Sequence, residues 1–389
     1  MKAQAAKFLL PREVHFGPGS LDAAGDIITR LQCSRVFVVT DRTISRLGLL
    51  DRLLDHLKSR KLSVTVFDRT EPEPTVQCVH DASESLRQSG KPDLVVSLGG
   101  GSVMDVAKCA NVVGMNGGSI LDYEDGAKNP RMPRVLLPHV AIPTTAGTGS
   151  EATVWAVFID PERRFKTAIQ DTRLISDVAI LDYELTTTMP PNVTAATGMD
   201  ALTHAIEAYV SKAANPLTDA YCRQAIQMCA SNLRTAVRDG KNPIARANML
   251  LASFMGGAAF SNSSLGIAHT LAEAIGGYHR IPHGVANAIL LPHVMEFNLG
   301  SRLQRFGDVA RFMEAGKKQT NASKLAGLAV DAVSDLCNDI GVPRRLREMG
   351  VRREDLQMVA KIAAAWANLS GNPRRISRKQ IEHILDKAY

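Results

Sequence analysis

The hydrophobic pattern divides the chain in two. In the first half, short apolar runs at 35–40, 62–67, 94–98, 139–143 and 178–181 alternate with stretches of helical spacing such as 79–89 and 102–113. Apolar runs of that length suit strands buried on both faces, and their alternation with helices predicts parallel βαβ units. From Pro190-Pro191 onward the period changes: long helical repeats cover 194–211, 217–238, 243–260, 323–340 and 354–366, with no strand pattern among them. The boundary falls near 187–191, after Leu185-Thr186-Thr187-Thr188. The expected architecture is an α/β domain with a Rossmann-like parallel sheet over 1–188, followed by an all-α domain over 189–389.

Composition fits that division. A chain of 389 residues exceeds the usual limit of a single core, and 45% hydrophobic with 22% charged residues is ordinary for a soluble globular protein. No apolar run approaches the roughly 20 residues that span a bilayer, and the start Met1-Lys2-Ala3-Gln4 lacks a secretory pattern, so no membrane partner is expected. Cys33, Cys78, Cys109, Cys222, Cys229 and Cys337 show no paired spacing; Cys109 and Cys222 fall in predicted helices as small apolar residues, which suits a reducing cytoplasm. The net charge of +7 is concentrated in 340–389, where eleven Lys or Arg face five Asp or Glu. These charges lie in pairs such as Arg344-Arg345 and Arg352-Arg353 without interleaved aromatics, so a solvated helical face is expected and no nucleic-acid partner.

Three segments of the first half carry candidate chemistry. In Leu94-Val95-Val96-Ser97-Leu98-Gly99-Gly100-Gly101-Ser102, a buried strand meets three glycines and then a helix opening on Ser102. Glycines let a diphosphate approach the backbone, and a helix N-terminus supplies free N–H groups and partial positive charge. The spacing is not G-x-G-x-x-G, and such a turn also occurs with no ligand. Pro143-Thr144-Thr145-Ala146-Gly147-Thr148-Gly149-Ser150-Glu151 is rich in hydroxyls and glycine, and reads either as a nucleotide-lining loop or as a surface loop. Arg35-Val36-Phe37-Val38-Val39-Thr40-Asp41 is a strand ending in an acid. Asp41 there can accept from ribose hydroxyls and repel a 2′-phosphate, favouring NAD over NADP, or it can cap the turn at Arg42-Thr43-Ile44.

The second half carries a metal signature. Asp200 and His204 are four apart in a predicted helix and therefore leave one face a turn apart. His269, and His283 within Ile281-Pro282-His283-Gly284, complete an Asp/His/His/His set. Such a set suits Fe(II) or Zn(II) and can leave a position open for substrate. Asp/His pairs at this spacing are also common without a metal. His15, His56, His80, His139, His293 and His383 have no comparable context and are read as surface or packed histidines.

Taken in order, these segments resemble the iron-dependent (group III) alcohol dehydrogenase family. The resemblance runs through Phe16-Gly17-Pro18-Gly19, Gly99-Gly100-Gly101-Ser102 with Asp105, Pro143 to Glu151, and Gly198-Met199-Asp200 with His204-Ala205-Ile206-Glu207. It continues through Phe260-Ser261-Asn262, Pro282-His283-Gly284-Val285-Ala286-Asn287 and Asn372-Pro373-Arg374. It implies a dinucleotide-binding α/β domain, a helical domain of the dehydroquinate synthase-like fold, and a cleft holding NAD(P) and a divalent metal. It also implies a homodimer or larger homo-oligomer. By resemblance Gly101 and Ser102 hold the diphosphate, Thr144, Thr145 and Thr148 line the nucleotide, and Gly100, Asp105 and Val157 belong to the same cofactor site. Lys166 reaches the nicotinamide ribose, or is an exposed lysine in a turn-rich strand, and Leu185 packs near the cofactor. The implied reaction is hydride transfer between nicotinamide C4 and a small, neutral primary alcohol or aldehyde whose oxygen a metal polarises. The alternatives are a reductase of a hydroxy-acid, sulfonate or phosphonate aldehyde, and a lyase of the dehydroquinate synthase type. Such a lyase needs crowded Lys and Arg and uses Glu with two His. A metal-free maleylacetate-type reductase and a non-catalytic NAD-binding regulator are disfavoured by intact ligands at all four positions.

Three departures from that family stand out. Many relatives carry a second histidine four residues after the one matching His269; here it is Glu273, leaving Glu273 or His279 as the proton-handling candidate. Trp155 occupies a position where relatives have a smaller residue, and either narrows the substrate pocket together with Phe260 or is a core tryptophan on a strand. Glu73 replaces an Asn common among relatives in a Pro-x-Pro turn, which weakens the contacts expected with adenosine.

Overall fold

Val36, Phe37, Val38 and Val39 put branched or aromatic side chains on both sides of the pleat, and so do Leu94, Val95 and Val96. A strand of this kind is stable only when both faces are covered. The computed structural model, which describes residues 7–125, 127, 130–316, 318–366 and 371–389, covers them with helices. Met1–Gln4, noted above, lie outside the described residues. By contact the chain forms two units, one of Leu10–Thr145 with Ser150–Thr188, the other of Met189–Tyr389 with Ala146–Gly149 and residues 7–9.

The first unit contains β1 (Glu13–Phe16), β2 (Arg35–Val39), β3 (Ser63–Phe67), β4 (Leu94–Gly99), β5 (His139–Pro143), β6 (Trp155–Asp160), β7 (Phe165–Gln170) and β8 (Val178–Leu181). Six of these form one parallel sheet in the order β1-β8-β5-β4-β2-β3, while β6 and β7 make a separate antiparallel hairpin. Its helices are α1 (Ala24–Arg30), α2 (Arg42–Arg46), α3 (Leu49–Ser59), α4 (Val76–Gln88) and α5 (Gly101–Asn116). On one face of the sheet Val36, Val38, Val96 and Ile142 meet Ile28, Leu53 and Leu57 of α1 and α3. On the other, Phe37, Val39 and Val95 meet Leu86 of α4 with Val106 and Ala110 of α5. Every expected strand appears within one residue of its expected ends. The sequence reading omitted β1, a short edge strand whose Val14 and Phe16 face solvent, and the β6–β7 hairpin.

The strand order places the ligand end. After β2 the chain runs outward to β3; after β4 it runs the opposite way, to β5. β2 and β4 are neighbours in register from Val36↔Leu94 to Val39↔Ser97. Their carboxyl ends therefore flank the topological switch point, where doubly wound sheets bind ligands. The two loops that leave these ends are Thr40-Asp41 and Gly99-Gly100-Gly101.

The second unit is helical: α6 (Pro191–Val210), α7 (Pro216–Arg238), α8 (Pro243–Ser261), α9 (Ile267–His279), α10 (His283–Asn298), α11 (Leu303–Phe312), α12 (Ala322–Asp339), α13 (Leu356–Trp366) and α14 (Arg378–Ala388). The first three each begin on proline, whose fixed φ and missing N–H suit that position, and Asn215 and Asn242 accept from backbone N–H groups of α7 and α8. Gly198 lets α6 and α7 close up, since a Cβ there would lie 2.2 Å from Leu233 Cδ1. α9 and α10 had no counterpart in the sequence reading: both are apolar on nearly every side, which erases the period that marks a half-exposed helix.

Candidate metal site and phosphate loop

α6 carries Asp200, His204 and Glu207 at i, i+4 and i+7, one stripe of the helix, and all three are buried. His269 sits in the first turn of α9, and His283 is the first residue of α10. Donor atoms of Asp200, His269 and His283 all lie within 4.8 Å of one another, with His269 Nε2 and His283 Nε2 each 3.7 Å from Asp200 Oδ1. The fourth expected ligand, His204, is beside the cluster. Its ring stacks on His269 at 4.5 Å and on Phe260 at 4.5 Å, and its Nδ1 is 3.3 Å from the Gly147 carbonyl. Three of the four expected donors thus converge, and the fourth joins through ring contact.

Two residues that sequence reasoning left without a role hold the cluster in place. Glu207 accepts from His269 Nδ1–H at 2.7 Å and from the backbone N–H groups of Gly266, Ala268 and His269. Asn287, fully buried on α10, donates from Nδ2 to Asp200 Oδ1 at 2.8 Å and contacts His283 Nε2 at 3.1 Å. The i, i+4, i+7 stripe was the available signal for Glu207; Asn287, one turn after His283, was the signal for its own role.

These residues fit a divalent ion. His269 Nε2 is buried without a hydrogen-bond partner, a state that costs free energy unless something else accepts its lone pair. Donors bonded to one ion at about 2.1 Å stand roughly 3–4 Å apart, and 3.7 Å falls in that interval. The charge balance agrees. Burial alone would raise the Asp200 pKa, yet the neighbouring His204, His283 and His269 hold its carboxyl far below the ordinary range. Burial pulls His204 down to about 4. His269 is opposed by burial but raised to about 9 by the Asp200 and Glu207 carboxylates on either side of its ring. The pocket is therefore one that stabilises positive charge between carboxylates.

Of the two proton-handling candidates, His279 is set apart. It ends α9 ten residues after His269, about 15 Å along the axis at 1.5 Å per residue, and its Nε2 lies 3.6 Å from Asp355 Oδ2. Glu273 lies one turn beyond His269 on α9 and is partly exposed.

In the α/β unit, β4 runs into the glycine turn and α5 opens on Gly101 with Gly100 at its N-cap and no side chain capping it. A Cβ at Gly99 would lie 2.5 Å from Val103 Cγ2, and one at Gly100 would lie 3.2 Å from the Thr145 side chain. The glycines are thus needed for close approach. Thr144 N–H donates to the Gly99 carbonyl at 2.9 Å, so the two loops are tied edge to edge. Ser102 Oγ accepts from Glu73 N–H at 3.3 Å, and the Glu73 carboxylate pairs with Lys166 Nζ at 2.5 Å. Lys166 is accordingly a part-buried partner of Glu73 and not an exposed lysine. Asp105 accepts from Ser150 Oγ at 3.0 Å and from Val157 N–H, and burial raises its carboxyl to about 6.

Other predicted positions resolve differently. Asp41 caps α2, accepting from Thr43 N–H and Ile44 N–H, which is the cap reading. Leu185 is fully buried among the core side chains under the sheet. Trp155 opens β6 partly buried, and its carbonyl accepts from Lys108. Thr148 and Gly149 belong by contact to the helical unit, where Gly149 N–H donates to Ser253 Oγ at 3.1 Å. The hydroxyl-rich segment is therefore not a surface loop. Sequence reasoning also missed Lys108 and Glu151. Lys108 Nζ donates to Ser150, Thr153 and Trp155 with only 2% of its surface exposed, and Glu151 is buried with both carboxylate oxygens unpartnered.

Comparison with known proteins agrees with this geometry. Residues 11–183 match the family described as "Iron-containing alcohol dehydrogenase", and residues 194–389 match "Fe-containing alcohol dehydrogenase family, C-terminal". The chain is 39% identical over 386 residues to the 1,3-propanediol dehydrogenase of Citrobacter freundii, covering 98% of both. It is 36% identical over 381 residues to the NAD-dependent methanol dehydrogenase of Bacillus methanolicus, covering 98% of this chain and 99% of that one. The crystal structure of a 1,3-propanediol oxidoreductase superposes with a TM-score of 0.94 at 38% identity, covering 99% of this chain and all of the other. The chain belongs to the iron-containing alcohol dehydrogenase family. It is an enzyme of the alcohol dehydrogenase and aldehyde reductase class, and the lyase alternative is not favoured.

Proposed function

We propose that this enzyme interconverts a small, neutral primary alcohol, of the size of methanol or propanediol, and its aldehyde with NAD as hydride partner. The observation that carries the reading is the buried, unpartnered Nε2 of His269, held 3.7 Å from the Asp200 carboxylate with His283 at the same distance. Asp200, His204, His269 and His283 would hold the ion, Fe(II) or Zn(II), with His204 brought in by rotation of its stacked ring. When bound, the divalent ion supplies Lewis-acid polarisation of the substrate oxygen, and NAD supplies the hydride acceptor.

The chain's own residues do the rest. In residues 1–188, the dinucleotide domain of this reading, Gly100, Gly101 and Ser102 at the start of α5 bind a diphosphate through backbone N–H groups and the positive helix end. Thr144, Thr145, Thr148 and Val157 line the nucleotide, and Asp105 fixes the loop through Ser150. Lys166, steered by Glu73, serves the nicotinamide ribose. Asp41, at the switch point, turns away a 2′-phosphate and so selects NAD. In residues 189–389, the metal domain, Phe260 shields His204 from water and bounds the substrate's carbon chain; in residues 1–188, Trp155 is the residue that favours short-chain substrates. Glu273 takes or returns the alcohol proton. Assembly as a homodimer and a cytoplasmic location complete the reading; the six free, buried cysteines suit a reducing compartment.

The test is a panel of alcohols and aldehydes with NAD and NADP, before and after stripping and restoring metal, followed by nicotinamide absorbance. Net NADH formation from a short primary alcohol that disappears with chelation and returns with metal is expected. Turnover without net change in nicotinamide, or indifference to chelation, overturns the reading.

A further inference from the structure

Glu207 belongs to α6, yet its strongest partners belong to α9. Helix α9 begins after Gly266, whose side chain cannot cap it, so the first N–H groups of the helix need acceptors from elsewhere. Glu207 provides them: Oε1 accepts from Ala268 N–H at 2.7 Å, and Oε2 accepts from Gly266 N–H at 3.0 Å and His269 N–H at 3.4 Å. The same Oε2 accepts from His269 Nδ1 at 2.7 Å. One buried carboxylate therefore serves as the N-terminal cap of α9 and as the acceptor of its histidine's ring proton.

The consequence lies at the opposite side of the ring. In a neutral imidazole one nitrogen carries the proton and the other a lone pair. A carboxylate at Nδ1 keeps the proton there, leaving the lone pair on Nε2, which is the atom found buried without a partner and facing Asp200. Because Glu207 is anchored to three backbone N–H groups it cannot rotate away, and so the ring plane is set by the helix start itself. We propose that Glu207 is a positioning residue that fixes both the tautomer and the direction of His269 toward the metal. This rests on the metal reading above, since without an ion the tautomer has nothing to serve.

The isosteric change Glu207→Gln separates positioning from mere packing. Glutamine offers one acceptor and one donor group, so it cannot accept at both ends of the site: either the Ala268 N–H or the His269 Nδ1–H loses its partner. With Co(II) as the probe, wild-type, metal-stripped protein is expected to bind stoichiometrically by calorimetry, and Asp200→Ala is expected not to bind. Glu207→Gln should bind about 10- to 100-fold more weakly, the range for losing the outer partner of a ligating histidine, with an altered visible Co(II) spectrum. A wild type that fails to bind Co(II) overturns the metal reading. A wild type that binds while Glu207→Gln matches it in affinity and spectrum overturns the positioning role alone. If Glu207→Gln does not fold, the zinc-loaded wild type decides by the long-range ¹H–¹⁵N spectrum of its histidines. A proton retained on His269 Nδ1 with Nε2 zinc-shifted supports the proposal, and zinc on Nδ1 overturns it.

Discussion

Each unit buries an ionic cluster, and the two treat their unpartnered groups in opposite ways. In the helical unit one buried group without a hydrogen-bond partner is a nitrogen, His269 Nε2, which faces a carboxylate across a gap suited to a cation. In the α/β unit it is a carboxylate, Glu151, whose nearest countercharge, Lys108, already donates to three carbonyls and two hydroxyls. Asp200 stays ionised because three histidines surround it. Glu151 cannot recruit Lys108 fully, and burial pushes its carboxyl up to about 7, while burial pulls Lys108 down to about 8. Buried charge is costly unless paired. One cluster is arranged to meet that cost with donors that converge where an ion would sit, the other by holding a proton. Convergence of lone pairs, more than the number of buried charges, is what marks a metal site.

The largest expected effect comes from breaking the first cluster. Asp200→Ala removes the one anionic donor, and metal content should fall to background while turnover drops about 10³-fold or more. That is the scale of losing several kcal/mol of charge stabilisation at 1.36 kcal/mol per tenfold. Metal analysis and steady-state rates on the same preparation check it. A variant that keeps its metal and its rate would show that the convergence of Asp200, His269 and His283 has no role in binding.

How much of this contrast was legible beforehand follows from where the chemistry sits. Five of the sheet's six strands could be placed to a residue because short continuous apolar runs have few other uses in a soluble chain. Asp200 and His204 were legible because a helix turns i, i+4 into one face; their distance to His269 and His283 was not, since α9 and α10 are apolar all round and carry no period. Glu207 and Asn287 were within reach, one more turn along the same stripes, but a polar residue in a helix reads as solvated until its partners are known. Lys108 and Glu151 were out of reach for a different reason. An ammonium in Val106-Ala107-Lys108-Cys109 satisfied by carbonyls some 40 residues later is a tertiary fact. Leu185 and His279 were carried over as family positions, without the packing that surrounds them.

The second cluster should reveal itself through pH. The carboxyl of Glu151 is raised in the folded protein from an ordinary value of 4.5 to about 7. Its contribution to stability is fully present below about 4.5, where both states are protonated. As pH rises, the unfolded chain ionises first, and stability is lost until the folded carboxyl also ionises near 7. Lys108 and Asp105 face the same interior; Lys108 keeps its charge through this window because it titrates near 8. The loss is on the order of 3 kcal/mol at 1.36 kcal/mol per pKa unit. Glu151→Gln should flatten that slope, making the variant more stable than wild type at pH 8 and close to it at pH 5. Urea midpoints at the two pH values test this, and parallel midpoints would mean that Glu151 is already ionised in the folded state.

The smallest expected effect sharpens the comparison most, because it touches the metal cluster without removing any donor or ligand. Gly266 has φ −110°, a conformation open to any residue, so its lack of a side chain is a matter of space and not of backbone strain. A Cβ there would stand 2.5 Å from Glu207 Oε1 and 3.2 Å from Asn372 Oδ1. In Gly266→Ala the carboxylate must give way, which lengthens its bonds to Ala268 N–H at Oε1 and His269 Nδ1–H at Oε2. Weakening hydrogen bonds to a charged acceptor costs about 1–2 kcal/mol, partly offset by the lower entropy of alanine in the unfolded chain. A modest loss of thermal stability is therefore expected together with a several-fold weaker Co(II) affinity. If stability falls while affinity holds, Glu207 caps α9 and His269 takes its direction from packing; if both fall together, the cap and the ring are governed by one carboxylate.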